Sequence, residues 1–205
     1  MGIIFKQQIN NTVVILTGGI GCGKSVVSQI LKVMGHSVYD CDREARRLML
    51  HDPALRQQLI DAFGTETYLP DGTLNKPYLA QEIFSHPQRL VQMNALVHPA
   101  VADDILRVKA ETEKQGKRLF VESAIYYESG FSHRIEADSV WCIAAPLELR
   151  IARAMARDHA PREAIMARIN NQMSQEEKIE RADIVIWNDN EHSVIEQLNQ
   201  QLRQQ

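Results

Sequence analysis

Cysteine is scarce in this chain of 205 residues, and its spacing excludes a common stabilising device. The three cysteines, Cys22, Cys41 and Cys142, form no C-x-x-C pair. An odd number of isolated cysteines argues against a disulfide framework, and the seven histidines show no metal-ligand spacing such as H-E-x-x-H. Reduced thiols are typical of a cytoplasmic protein, so we expect a cytoplasmic location.

Strong net charge and long apolar runs are also missing. The formal net charge is −3 and aromatic residues make up 6% of the chain, so composition gives no support to nucleic-acid binding. No apolar stretch reaches the roughly 18 residues that a membrane-spanning helix needs. Residues 1–11 also lack the basic and apolar regions of a signal peptide. We therefore expect neither a nucleic-acid partner nor a membrane partner.

Short apolar runs recur along the chain and are separated by segments with helical spacing. They lie at residues 12–17, 37–40, 119–121, 139–144 and 184–187. Such alternation predicts βαβ units and a parallel sheet. Long helical insertions separate the second run from the third and the fourth from the fifth. Within the first insertion, His98-Pro99 is one of several predicted turns.

A glycine-rich segment follows the first predicted strand and precedes a predicted helix. Its sequence, GGIGCGKS at residues 18–25, satisfies G-x-x-x-x-G-K-[ST]. Glycines let backbone N–H groups approach phosphate oxygens, and the helix that follows presents its positive dipole end to the anion. Lys24 is expected to reach the β- and γ-phosphates of a nucleotide, and Ser25 to supply a hydroxyl to Mg²⁺. We call residues 18–25 the phosphate loop.

Carboxylates follow two of the predicted strands. Asp40 and Asp42 come at the end of the second, where ligands bind in doubly wound sheets. Either could hold an attacking hydroxyl group or cap the next helix. Glu122 ends the third strand, where it could hold Mg²⁺ through water or be a solvated strand end. Glu128, six residues later, could lie near the same edge or on the surface.

Arginines are concentrated in the second insertion. They are Arg150, Arg153, Arg157, Arg162 and Arg168. Arg153 and Arg157 are four residues apart and so share a helix face, from which paired guanidinium groups can clamp a phosphoryl group. The alternative is a solvated face whose charges are neutralised by nearby acids.

Several further pieces occur in an order that one enzyme family shares. They are YDCDREAR (residues 39–46), FG (63–64), DGTL (71–74), NALVHP (94–99), Arg153 with Arg157, and Ala182-Asp183 with Asn188. Along nearly its whole length the chain resembles the dephospho-coenzyme A kinases. The resemblance implies transfer of the ATP γ-phosphoryl group to the ribose 3′-hydroxyl of dephospho-coenzyme A, the last step of coenzyme A synthesis, with Mg²⁺.

The resemblance also implies an architecture. It is an α/β P-loop NTPase fold with a five-stranded parallel sheet in the order 2-3-1-4-5, flanked by helices. Residues 12–41, 117–147 and 183–205 would form the nucleotide-binding core, residues 42–116 a helical acceptor-binding subdomain, and residues 148–182 a lid. The expected assembly is a monomer.

Site residues follow from the same resemblance and the motif. The catalytic residues would be Asp42 as the base, Lys24 and Arg153. The nucleotide would be bound by Gly19, Ile20, Gly21, Cys22, Gly23, Lys24, Ser25, Val26, Arg153, Arg157 and Asn188. The acceptor would be bound by Asp42, Arg46, His98 and Glu128. Mg²⁺ would be held by Ser25, with Asp40 or Glu122 contributing through water.

Two alternatives stay open at this point. One is another small-molecule kinase, such as a nucleoside monophosphate kinase. The other is a nucleotide-dependent switch without acceptor chemistry. Against the switch, NKPY at residues 75–78 lacks the aspartate of a guanine-reading N-K-x-D motif.

Overall fold

The computed structural model describes residues 13–204, without the side chains of residues 84 and 85. The strands in this part of the chain are β1 (Val13–Thr17), β2 (Ser37–Asp40), β3 (Leu119–Glu122), β4 (Ser139–Ala144) and β5 (Ile184–Trp187). The α-helices are α1 (Lys24–Val33), α2 (Cys41–His51), α3 (Pro53–Phe63), α4 (Lys76–Ser85), α5 (Pro87–Lys114), α6 (Leu147–Asp158), α7 (Arg162–Asn170), α8 (Gln175–Arg181) and α9 (Val194–Gln204). Predictions that concern residues 1–12 and Gln205 lie outside the described residues.

The five strands form one sheet in the order β2-β3-β1-β4-β5. Strand β1 pairs in parallel with β3 and β4, and β4 pairs in parallel with β5. The predicted parallel sheet and its strand order are confirmed. Because β1 is central and fully buried, the loop that follows it emerges from the middle of the carboxyl edge of the sheet.

One face of the sheet packs against α1 and α9. Its apolar side chains include Leu16, Phe120 and Trp141, all fully buried, and they meet Leu31 of α1 and Leu198 of α9. Phe120 and Trp141 contact each other edge to face, with ring centroids 5.5 Å apart. This packing stabilises the strand and helix that flank the phosphate loop.

The chain divides into two compact units. Among the described residues, one unit contains residues 13–39 and 108–204, and it holds the sheet. The other contains Asp40–Arg107, with α2, α3, α4 and the first part of α5. In this second unit Asp104 accepts hydrogen bonds from Arg47 (2.6 Å) and Arg107 (2.7 Å).

The predicted turn at His98-Pro99 is wrong, because Pro99 lies inside the 28-residue helix α5. Proline removes one helical hydrogen bond and normally ends or kinks a helix. Here Val97 and Val101, on either side of it, are 7% and 2% exposed. Burial of these neighbours explains why packing overrides the local preference of proline.

Candidate active site

The phosphate loop joins β1 to α1 through a backbone that requires glycine. Gly21 and Gly23 have φ angles of 76° and 94°, in the region that side chains disfavour. A Cβ on Gly21 would also overlap the carbonyl oxygen of Arg150, and one on Gly23 would overlap Nδ2 of Asn188. The glycines of the motif therefore serve both the turn itself and the close approach of two neighbouring segments.

The loop and the start of α1 carry unused backbone donors. Helix α1 begins after Gly23, and no side chain caps it. Among the described residues, none accepts a hydrogen bond from the N–H groups of Gly21, Gly23, Lys24 or Ser25. The first N–H groups of a helix have no partner within the helix, and together with the helix dipole they favour an anion.

Lys24 lies over the loop in this structure. Its ammonium group donates to the carbonyl oxygens of Gly18 (2.8 Å) and Gly19 (3.1 Å). These are neutral acceptors, which phosphate oxygens can replace with stronger charge-assisted bonds. The next residue, Ser25, is exposed in the first turn of α1. The predicted phosphate contact of Lys24 and metal contact of Ser25 stay predictions.

Asn188, directly after β5, is tied to the phosphate loop. Its Nδ2 atom donates to the carbonyl oxygen of Cys22 at 3.0 Å. Arg153 of α6 donates in turn to the carbonyl oxygen of Asn188 (2.8 Å) and to Oδ1 of Asn190 (3.3 Å). The structure therefore places Asn188 against the loop and Arg153 against Asn188, and the predicted contact of both residues with a nucleotide stays a prediction.

Arg157 is differently placed from Arg153. It is exposed and binds Asp158 through two hydrogen bonds of 2.7 and 3.0 Å. Arg168 of α7 binds the same carboxylate at 2.6 Å. These bonds from Arg157 and Arg168 hold the pKa of Asp158 well below its usual value. Arg157 thus has an acidic partner here, as expected for a solvated face, and its predicted nucleotide contact stays a prediction.

Glu128 lies in a contact that the sequence did not indicate. Its carboxylate accepts a hydrogen bond from the N–H of Met173 (3.0 Å) and pairs with the ammonium of Lys178 (2.9 Å). Lys178 is fully buried and also donates to the carbonyl oxygen of Ala124 at 2.6 Å. Glu128 therefore joins α8 to the segment after β3, and its predicted contact with the acceptor stays a prediction. Glu122 is the last residue of β3, as predicted.

In the second unit, the structure separates the roles of the two aspartates. Asp40 caps α2, since its side chain accepts a hydrogen bond from the N–H of Arg43 at 3.0 Å. Asp42 and Arg46 are both exposed and lie four residues apart on α2, so they share a face of that helix. His98 lies within α5 and is half-buried. The capping alternative thus applies to Asp40, and Asp42 is left available for chemistry.

Two buried cations of the first unit were missed by sequence reasoning. Arg150 and Lys178 are 4% and 0% exposed, although both residue types are usually on the surface. For Arg150 a signal existed, because it lies beside Ile151 and four residues before Ala154 on the apolar face of α6. For Lys178, the strongly polar sequence of α8 contains no such signal.

A family model described as dephospho-CoA kinase matches residues 12–193. The chain belongs to the dephospho-CoA kinase family. A relative from Bacteroides fragilis, named dephospho-CoA kinase, is 44% identical over 183 residues, which cover 89% of this chain and 87% of that protein. Membership of this family confirms the predicted enzyme class, an ATP-dependent kinase.

Solved structures support the same assignment. A dephospho-CoA kinase from Campylobacter jejuni has a TM-score of 0.69 at 25% identity, covering 94% of this chain and 96% of that one. The protein TT1252 from Thermus thermophilus has a TM-score of 0.77 at 32% identity, covering 95% of both chains. The predicted P-loop fold is therefore confirmed. In the part of the chain that the structure describes, no helix has the length and apolarity to cross a bilayer.

Proposed function

We propose that this chain transfers the γ-phosphoryl group of ATP to the ribose 3′-hydroxyl of dephospho-CoA, the last step of coenzyme A synthesis. The observation that carries the proposal is the phosphate loop, with its unpaired N–H groups and Lys24, in a chain of the dephospho-CoA kinase family. ATP is the co-substrate that this family implies. Phosphoryl transfer depends mainly on positioning and charge stabilisation, which such a loop can provide.

The donor would bind along the phosphate loop. Free N–H groups of Gly21, Gly23, Lys24 and Ser25 would take the β- and γ-phosphate oxygens, and Lys24 would exchange its two carbonyl acceptors for phosphate. Arg153 is already fixed beside Asn188, so it needs little reorganisation to meet a nucleotide. The predicted loop contacts also include Gly19, Ile20, Cys22 and Val26. Together these residues would present backbone N–H donors, and the cations of Lys24 and Arg153, to the triphosphate.

Ser25 is the residue best suited to hold Mg²⁺. Its exposed hydroxyl group makes no hydrogen bond to another described residue, and an oxygen ligand of this kind suits a hard cation. Among residues 13–204, no three or more His, Cys, Asp or Glu side chains converge on a common metal position. This fits an ion held by few protein oxygens together with substrate phosphates. Asp40 or Glu122 would contribute through water, and bound Mg²⁺ would neutralise charge on the transferring group.

The acceptor would be bound by residues of the first insertion and by Glu128, which follows β3. Asp42 is proposed as the base because it is an exposed carboxylate without a capping role, directly after β2 and Asp40. It would take the proton of the attacking hydroxyl or orient that hydroxyl in line with the γ-phosphate. Arg46, His98 and Glu128 are proposed to hold the rest of the acceptor.

We also propose a separate role for each of the two insertions. Residues 42–116 would bind the acceptor, and residues 148–182, with Arg153 and Arg157, would close as a lid. Closure excludes water, which would otherwise compete with the acceptor hydroxyl. All three cysteines are free, which agrees with a reducing cytoplasmic location. We further propose a monomer.

The acceptor is tested by measuring ADP release with a panel of alcohols and phosphates. We expect dephospho-CoA to give the highest kcat/KM, well above shikimate and nucleoside monophosphates. In Lys24→Ala the turnover should fall by at least about 10³-fold, because the variant lacks the cation at the transferring group. Its circular dichroism should stay unchanged, since the bonds of Lys24 to the described residues all lie within the loop. Preference for a nucleoside monophosphate would contradict the proposed acceptor.

The base is tested with Asp42→Asn. This variant should bind ATP normally and lose about 10²-fold or more in turnover, the usual contribution of a general base. Asp61→Asn, a substitution of another surface aspartate in the same insertion, serves as the matched control. If Asp42→Asn turns over at the rate of this control, Asp42 is not the base.

A further inference from the structure

Arg150 is a buried arginine that touches the phosphate loop and has no assigned role. It lies in the first turn of α6 and is 4% exposed. Its Nε atom donates to the carbonyl oxygen of Ile20 at 3.0 Å. The side chain of Ile20 packs against the apolar cluster of Ile151, Ala154 and Ile165. Residue 20 is therefore held by both its side chain and its carbonyl group.

Two glycines of the phosphate loop lie so close to Arg150 that a side chain would not fit at either position. A Cβ on Gly19 would overlap Nη2 of Arg150, and a Cβ on Gly21 would overlap its carbonyl oxygen. Both the side chain and the main chain of Arg150 thus lie against the loop. The loop takes its observed path along the first turn of α6 because glycine leaves room for this residue.

The charge of Arg150 is not neutralised by an acid. In the described part of the chain, no carboxylate lies within ion-pair distance of its guanidinium group, and its only hydrogen-bond acceptor is the carbonyl of Ile20. Arg157, Arg162 and Arg168, in the same insertion, each pair with a carboxylate. Burying a cation without a counter-charge is unfavourable, so no ion pair accounts for Arg150, and the bond to the Ile20 carbonyl is the polar contact that the structure gives it.

Peptide geometry connects this contact to phosphate binding. In a trans peptide, the C=O of one residue and the N–H of the next point in opposite directions. A hydrogen bond that fixes the Ile20 carbonyl towards Arg150 therefore aims the Gly21 N–H away from α6. That N–H has no acceptor among the described residues, so it is available to a phosphate oxygen.

We propose that Arg150 is a positioning residue for ATP: by binding the Ile20 carbonyl, it fixes the loop so that the Gly21 N–H faces the phosphate. This rests on the proposed binding of ATP in the loop, but not on the identity of the acceptor. It is therefore tested with a non-hydrolysable ATP analogue in the absence of acceptor. If wild type itself fails to bind the analogue, the proposed function fails, and the role of Arg150 falls with it.

Three substitutions separate the hydrogen bond from the charge. Nε2 of glutamine is the same number of bonds from Cα as Nε of arginine, so Arg150→Gln keeps the donor and removes the charge. Arg150→Lys keeps the charge, but its nitrogen is one bond farther out. Arg150→Met removes both. Arg203→Met, the same change at an exposed position of α9, is the control.

We expect Arg150→Met to weaken analogue binding by at least about tenfold, equivalent to 1.4 kcal/mol, measured by titration calorimetry. Arg150→Gln should bind within about threefold of wild type, and Arg150→Lys should resemble Arg150→Met. KM for ATP should rise most in Arg150→Met and Arg150→Lys and least in Arg150→Gln, whereas KM for the acceptor should not change in any of them. The thermal midpoint of Arg150→Met should equal or exceed that of wild type, because an unpaired buried charge has been replaced by an apolar side chain.

Two results would overturn this proposal. The first is that Arg150→Met binds the ATP analogue as tightly as wild type does. The second is full rescue by Arg150→Lys together with failure of Arg150→Gln, which would assign the effect to charge alone. If Arg150→Met does not fold, the Gln and Lys pair decides the question by itself.

Discussion

Glu128 and Lys178 form an ion pair whose two members are unequally buried, which predicts an asymmetric response to mutation. The Lys178 side chain is 0% exposed, whereas that of Glu128 is 25% exposed. Removing the acid leaves a cation inside the protein without its counter-charge. Removing Lys178 leaves the carboxylate of Glu128, which water can still reach. Glu128→Gln should therefore be more destabilising than Lys178→Met.

The magnitudes follow from these environments. Breaking a buried ion pair from one side usually costs about 3–5 kcal/mol, and partial exposure of Glu128 lowers our expectation to about 2–4 kcal/mol. Lys178→Met loses mainly the bond to the Ala124 carbonyl, which is worth about 1–2 kcal/mol, and its buried methionine offsets part of that. For a chain of this size, the loss in Glu128→Gln corresponds to a decrease in Tm of roughly 5–15 °C.

Urea unfolding of wild type, both single variants and the double variant measures the asymmetry. The double variant should be more stable than Glu128→Gln alone, because it no longer buries an unpaired ammonium group. Equal losses in the two single variants, or a larger loss in Lys178→Met, would refute the reasoning. KM for dephospho-CoA, measured well below Tm, separately tests the proposed acceptor contact of Glu128.

Two further predictions concern the loop and the pH dependence of stability. Gly23→Ala should lose about 1–2 kcal/mol of folding stability, because alanine is strained at the positive φ of this position. It should also bind ATP more weakly by calorimetry, because the new Cβ overlaps Asn188. Gly35→Ala, with a φ of 90° and open space, should show a similar strain without the loss of affinity. Burial, and after it the positive charge of Arg118, lower the pKa of His36 in the folded protein. The stability contributed by its neutral imidazole is therefore complete above about pH 6.5 and is lost as the pH falls through the folded-state pKa. His36→Phe should therefore narrow the difference in urea midpoint between about pH 8 and pH 5, and an unchanged difference would contradict this assignment.

The sheet could be predicted from the sequence because its inner strands, β1, β3 and β4, are buried along most of their length. Continuous apolar runs are typical of such strands, and the runs at residues 37–40, 139–144 and 184–187 match β2, β4 and β5 residue for residue. The strand order came from the family resemblance and not from these patterns. Pro99 was misjudged because local propensity cannot register the burial of Val97 and Val101.

Part of the site could be predicted because its chemistry lies in consecutive residues. The loop with Lys24 is such a segment, and its glycines identify it without knowledge of the rest of the chain. Contacts across long sequence separations could not be read in this way. The bond from Arg150 to Ile20 spans 130 residues, and that from Lys178 to Ala124 spans 54. Such contacts are set by how α6 and α8 pack, which a single sequence does not reveal.

The central claim is that the phosphate loop delivers the γ-phosphoryl group of ATP to one defined hydroxyl. It is tested most directly by incubating the protein with ATP, Mg²⁺ and dephospho-CoA and analysing the products by mass spectrometry and ³¹P NMR. The account predicts ADP and a product heavier by one phosphoryl group, esterified at the ribose 3′ position, and no such product with Lys24→Ala. ADP formed without a phosphorylated acceptor, or equal product yield from Lys24→Ala, would contradict it.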